Sequence, residues 1–152
     1  MAKQTVENFS LDQMLGFVIN HAAHLMRDEL LTMFNTNGLN ITVQEFRILG
    51  RLWEEDGLKQ TEVGARTIKD KTTLTRQLDG LVKKGLAERK ADALDRRVFR
   101  IHLTKQGRTF RKKVMPVVFA MLDKGQQKIS QKDLTTTLKV LTQICFNLTP
   151  KG

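Results

Sequence analysis

The chain has one cysteine, Cys145, so no internal disulfide can form, and a reducing cytosolic compartment fits. Long apolar runs are also missing. The longest, Val114–Leu122, is interrupted by Pro116 and is far short of the roughly 20 residues needed to cross a bilayer. No apolar core follows a basic start at the amino end, so no secretory leader is expected, and no membrane partner. There is no internal repeat, low-complexity tract or linker rich in Pro, Gly or Ser. Enzyme signatures are lacking too: no Gly-rich phosphate cradle, nucleophile elbow or paired carboxylates. The expectation is a non-enzyme with no cofactor and no metal.

What is present is basic charge in one place. Residues 57–113 hold 17 Lys/Arg against 6 Asp/Glu, whereas the rest of the chain holds 9 against 10. The whole excess of +10 therefore resides in a central block. Clustered positive charge binds polyanions by releasing their counterions. A solvated basic surface without a partner is the alternative meaning of charge alone.

Helix punctuation predicts the element order. Ser10 and Gln13 form the pattern of a capping box, followed by a stripe of Leu11, Met14, Leu15, Val18, Ala22, Leu25 and Met26, and Asn37-Gly38 supplies the stop. Thr42 and Glu45 form a second capping box ahead of Val43, Phe46, Leu49, Leu52 and Trp53, with an end at Asp56-Gly57. A short third helix fits Gln60–Thr67 behind the weak cap Lys59. Asp70 caps a fourth, closed by Lys84-Gly85. Strands are expected at Leu86–Lys90 and Val98–Leu103, with a turn at Ala91–Asp95. Thr104 would cap a fifth helix that kinks at Pro116, a hinge candidate. The sixth carries Leu134, Leu138, Leu141, Cys145 and Leu148.

The outermost helices have apolar stripes but too little chain for a core of their own. Such stripes are buried against a second copy or against the central domain, and a homodimer is expected. The fold class is mainly α with a small β-hairpin. Residues 1–38 would form an amino-terminal dimerisation helix, 39–104 a winged helix-turn-helix domain, and 105–152 carboxy-terminal dimerisation helices.

On a 100° wheel the fourth helix turns Leu74, Leu78, Leu81 and Val82 inward. Thr72, Arg76, Gly80 and Lys83 lie opposite, with Thr73 beside them and Thr75 at the margin, interrupted by Asp79. Arg can bond a guanine edge twice, Thr can reach phosphates or a thymine methyl, and a small residue permits close approach. The hairpin crowds Arg89, Lys90, Arg96, Arg97 and Arg100, a finger suited to a minor groove. Asp95 would hold one of the arginines or shape the turn. A merely solvated face is the alternative reading, but the scarcity of acidic residues on it favours double-stranded DNA.

Over residues 39–108 the chain resembles the MarR/SlyA family of winged-helix regulators. The matching pieces are Leu39-Asn-Ile-Thr-Val-Gln44, Gln60-Thr-Glu, Asp70-Lys-Thr-Thr-Leu-Thr-Arg76, Leu81-Val-Lys-Lys-Gly-Leu86, Asp95-Arg-Arg97 and Leu103-Thr-Lys-Gln-Gly107. The resemblance implies an interlocked homodimer on a palindromic site, with recognition helices in successive major grooves and wings in minor grooves. It assigns DNA contact to Thr72, Thr73, Thr75 and Arg76, a minor-groove role to Arg97 beside Arg96, a basic strand position to Arg89, and backbone contacts to Lys71 and Gln60. The chain departs from the family pattern at Val63-Gly64, where Leu-Ala is common, and within Ile68-Lys69, where a turn Gly is usual. Gly64 should weaken its helix by up to about 1 kcal/mol against Ala.

The resemblance also suggests a small aromatic or phenolic effector, for which Phe17, His21, Phe46 and Leu49 are the candidate lining. His21 and His24 have a spacing that could hold a metal but lack convergent ligands, and Cys145 sits where a thiol is packed and inert. Three functions remain: a ligand-responsive regulator, a non-sequence-specific nucleic-acid or architectural protein, and a winged-helix protein–protein adaptor.

Overall fold

The computed structural model describes residues 10–67 and 70–150. In chain order it contains α1 (Leu15–Thr36), α2 (Val43–Glu54), β1 (Leu58–Lys59), α3 (Gln60–Arg66), α4 (Lys71–Lys83), β2 (Ala87–Ala91), β3 (Phe99–Leu103), α5 (Lys105–Gly125) and α6 (Gln131–Leu148). The strands form an antiparallel sheet ordered β1-β3-β2, with Leu58 opposite Ile101 and Ala87 opposite Leu103.

The chain divides into two compact units, one up to Met121 and one from Leu122. In the first, Phe34 of α1, Ile48, Leu49 and Leu52 of α2, Leu78 and Leu81 of α4, and Ile101 of β3 are almost fully enclosed. Burying side chains of this size stabilises by about 1.5–3 kcal/mol each, which is why these elements pack together. In the second, Ser130 caps α6 by accepting the Asp133 amide at 3.1 Å, and α6 buries no residue.

Most of the expected punctuation is present. α1 ends in a Schellman turn at Gly38, where the Leu39 amide reaches the Phe34 carbonyl at 2.8 Å. The Thr42–Glu45 box closes in both directions, at 3.0 and 2.8 Å. Asp70 accepts the Thr73 amide at 2.6 Å, and Thr104 accepts that of Gly107 at 2.9 Å. α5 continues as one helix through Pro116.

Three expectations need correcting. The Ser10 box does not form, because Leu11–Gln13 make a 3₁₀ turn and Met14 is extended, so α1 begins at Leu15. β1 was not foreseen; two residues are too few to show a period. The start of α3 is better held than Lys59 suggests, since the Glu62 carboxylate reaches back to the Lys59 amide at 2.7 Å. The expected departure within Ile68-Lys69 lies outside the described residues.

The first turn of α5 is seated directly on the base of the hairpin. A β-carbon on Gly107 would lie 1.9 Å from the Leu86 carbonyl oxygen, an impossible contact, so only glycine fits. The Trp53 indole donates to the Gly107 carbonyl at 2.9 Å, and the Thr104 hydroxyl donates to the Gly85 carbonyl at 2.6 Å.

Candidate nucleic-acid interface

The outer face of α4 exposes Lys71, Thr72, Thr75, Arg76, Asp79 and Lys83, while Thr73 is half-buried. Leu74, Leu78 and Leu81 point inward as the wheel requires. Two positions differ. Val82 is 39% exposed, so the inward arc ends at Leu81. Gly80 does not face outward: a β-carbon there would lie 2.4 Å from Glu45 Oε1 on α2. Its smallness admits a carboxylate and has no part in approach to a duplex.

That carboxylate ties α2 to the carboxy end of α4. Glu45 is 2% exposed, accepts the Thr42 amide, and takes Lys84 Nζ on both oxygens at 2.8 and 2.6 Å. Beside it the Thr42 hydroxyl donates to Gln77 Oε1 at 2.8 Å. Hydrogen bonds from Thr73, side chain first, hold the Asp70 carboxyl below the usual carboxylate range and keep it a charged cap.

The hairpin loop is organised by a residue that the sequence reading passed over. Asp92 is buried and accepts the Leu94 and Asp95 amides at 2.9 and 3.2 Å, while Arg100 Nε also donates to it. The Leu94 amide above all, then the Arg100 guanidinium, hold the Asp92 carboxyl down to about 2. Arg100 also reaches the Gly57 carbonyl at 2.9 Å, tying the loop to the approach to β1. Asp92 had no apolar period or cap pattern to mark it; its signal was only an Asp two residues before Leu94, the spacing of an Asx-turn.

Arg96 and Arg97 project from this loop. Arg97 is 92% exposed, and Asp95 accepts its amide at 3.0 Å and its Nε at 3.3 Å. Asp95 therefore both shapes the turn and steadies an arginine. Arg89 is directed differently, back toward α4 and the half-buried Gln60 of α3.

Between α3 and α4 lies a hollow of about 450 Å³ bordered by Gln60, Gly64, Lys71, Leu74 and Thr75. A β-carbon on Gly64 would meet Leu74 Cδ2 at 2.9 Å, so alanine there would trade helix propensity for a shifted core leucine.

The four residues considered for an effector are not brought together within one chain. Phe17 and His21 stack with ring centres 6.5 Å apart on the exposed side of α1. Phe46 packs edge-on against Phe34 at 5.6 Å, about 20 Å along α1 from His21 at 1.5 Å per residue. Leu49 is 0% exposed. His24 faces Asp28 at 3.1 Å, and among the described residues no group of three or more His, Cys, Asp and Glu could hold a metal. Cys145, expected to be packed, is exposed in the single chain because α6 has no covering element in its own unit.

The description "MarR family" belongs to the family model that matches residues 41–99. The HTH-type transcriptional regulator TtmR of Methylorubrum extorquens is 35% identical over 105 residues, covering 69% of this chain and 53% of that protein. This chain thus spans about half of TtmR's length. The organic hydroperoxide resistance transcriptional regulator of Bacillus subtilis is 28% identical over 146 residues, covering 96% of this chain and 97% of that one. A MarR-family transcriptional regulator from Silicibacter pomeroyi has the same fold, with a TM-score of 0.80 at 24% identity, covering 97% of this chain and 99% of that one.

Proposed function

This chain belongs to the MarR family, and from that premise we propose that it is a transcriptional repressor whose homodimer binds a palindromic operator and releases it when a small aromatic or phenolic ligand binds. The relatives are transcription regulators, and no catalytic step enters the reading. The observation that carries it is the exposed Thr72, Thr75 and Arg76 of α4 together with a braced loop that presents Arg96 and Arg97. Hydroxyls and a guanidinium suit base edges in a major groove, and arginines suit the negative potential of a narrow minor groove. Lys71, Gln60 and Thr73 at the helix starts would serve the phosphate backbone.

Dimerisation is supported by apolar side chains left exposed on α1, such as Leu15 at 54% and Leu25 at 55%, and separately on α6, such as Leu138 at 67% and Phe146 at 65%. CouR of Rhodococcus jostii, of the same fold with a TM-score of 0.79 at 21% identity, is bound to p-coumaroyl-CoA. Phe17 and His21 offer a stacked pair that a second protomer would cover.

Selection of bound sequences from a random duplex pool tests the reading: a palindromic consensus is expected. On that site Arg76→Ala should cost about 1–3 kcal/mol and on random DNA almost nothing. Arg97→Ala should weaken the site while leaving the dimer intact. Equal affinity for every duplex would sink the regulator and favour the architectural alternative, which the basic block also allows. A hydroxybenzoate that leaves the operator complex undisturbed at millimolar concentration would count against a phenolic effector.

A further inference from the structure

Arg89 matches a family position on the strand before the wing tip, but its surroundings do not suit a phosphate contact. We infer that Arg89 is a positioning residue, a strut that sets the recognition helix α4 against the wing strand β2, with Asp79 as its anchor. Its Nη1 donates to Asp79 Oδ1 at 2.5 Å, its Nε to Gln60 Oε1 at 3.4 Å, and its Nη2 to the Thr75 carbonyl at 3.5 Å. One guanidinium thereby touches α3, α4 and its own strand. Only 25% of the side chain is exposed, against 92% for Arg97.

The pair also explains an acidic residue in an awkward place. Asp79 is 59% exposed on the same outer face as Thr72, Thr75 and Arg76, where a bare carboxylate would repel the phosphates of a duplex. Pairing with Arg89 neutralises it at the surface that is proposed to meet DNA. A planar fork can hold a carboxylate, an amide oxygen and a carbonyl at once, whereas an ammonium cannot match that geometry. Arg89 acts through the orientation of Thr75 and Arg76 and is not counted among the phosphate contacts.

The inference rests on the DNA-binding reading for its consequence, but not for its geometry, so two measurements are paired. Without DNA, hydrogen exchange across residues 71–83 should accelerate in both Arg89→Ala and Asp79→Asn; unchanged exchange in both overturns the strut. With operator DNA, each variant should lose affinity on the order of tenfold, and the double variant should be no weaker than Arg89→Ala alone, as coupled partners require. The slope of log affinity against log salt should stay at the wild-type value in both.

A slope reduced by about 0.9 in Arg89→Ala would identify a lost phosphate contact and overturn the proposal. Tighter binding by Asp79→Asn would do so as well. Arg89→Lys, which keeps the charge and loses the fork, should recover only part of the affinity; full recovery would mean that charge alone suffices. If the Ala variant melts before it can be measured, Asp79→Asn, which preserves shape, carries both readouts. A wild-type protein that shows no preferred site would overturn the regulator reading, and the exchange result would still judge the strut.

Discussion

At Gly80 two effects of opposite sign compete. In a helix interior, glycine is worse than alanine by about 1 kcal/mol, so propensity favours Gly80→Ala. Against it, the added β-carbon would lie 2.4 Å from Glu45 Oε1, a buried carboxylate already bonded to Lys84 and Thr42. Forcing atoms into a packed contact costs about 1–3 kcal/mol, and disturbing a helix cap adds about 1 kcal/mol. Sterics win, and Gly80→Ala should lower stability by about 1–3 kcal/mol in denaturant unfolding. A stabilised variant would mean that Glu45 is free to move aside. On the wheel alone this residue lay within the outward arc; a periodicity argument sees the angle of a residue but not what its neighbour helix brings to it. The same limit explains Val82, placed inward by its apolar side chain and found 39% exposed.

The wing is braced as a unit, and its brace titrates. Asp92 is held down to about 2 from a usual 3.8, chiefly by the Leu94 amide and then by Arg100. A carboxyl whose folded pKa is depressed contributes stability that is complete above its unfolded value, near 4, and is lost as pH falls through the folded value, near 2. Stability should therefore fall between about pH 4 and 2, the Leu94 and Asp95 amide resonances of the folded protein should shift together with a midpoint near pH 2, and Asp92→Asn should abolish that transition. Persistence of the transition in the Asn variant would assign it to another carboxyl. Elements with regular signals were legible beforehand: the box at Thr42, the cap at Asp70, the strand that ends at Leu103, the stop at Gly38. The 3₁₀ turn before α1, the two-residue β1 and the Asp92 brace were not, because each depends on contacts between distant residues or on too few residues to show a repeat. Of the interface, the exposure of Arg76 and Arg97 followed from type and position, whereas the inward turn of Arg89 depended on Asp79 lying across from it.

At the scale of the molecule, the positive excess is confined to residues 57–113, while α1 and, in the other unit, α6 each expose a series of apolar side chains. An isolated chain with that much apolar exposure is expected to associate. Light scattering should report a dimer, and Leu138→Glu combined with Phe146→Glu should yield a monomer. Because two half-sites on one duplex act as linked binding events, the monomer should lose about 10²–10⁴-fold in operator affinity while each winged domain stays folded. A double variant that remains dimeric would place the association surface on α1 alone.

The seat of Gly107 on Leu86 has a consequence for genetics. Any side chain there must displace either the start of α5 or the root of the hairpin, since a β-carbon would stand 1.9 Å from a backbone oxygen. In a screen for alleles that have lost control of a reporter gene, Gly107 substitutions should turn up alongside changes at Arg76 and Arg97. They would mimic contact mutants from a codon whose product belongs to neither the recognition helix nor the wing, and overexpression should rescue them less well than it rescues a lost base contact.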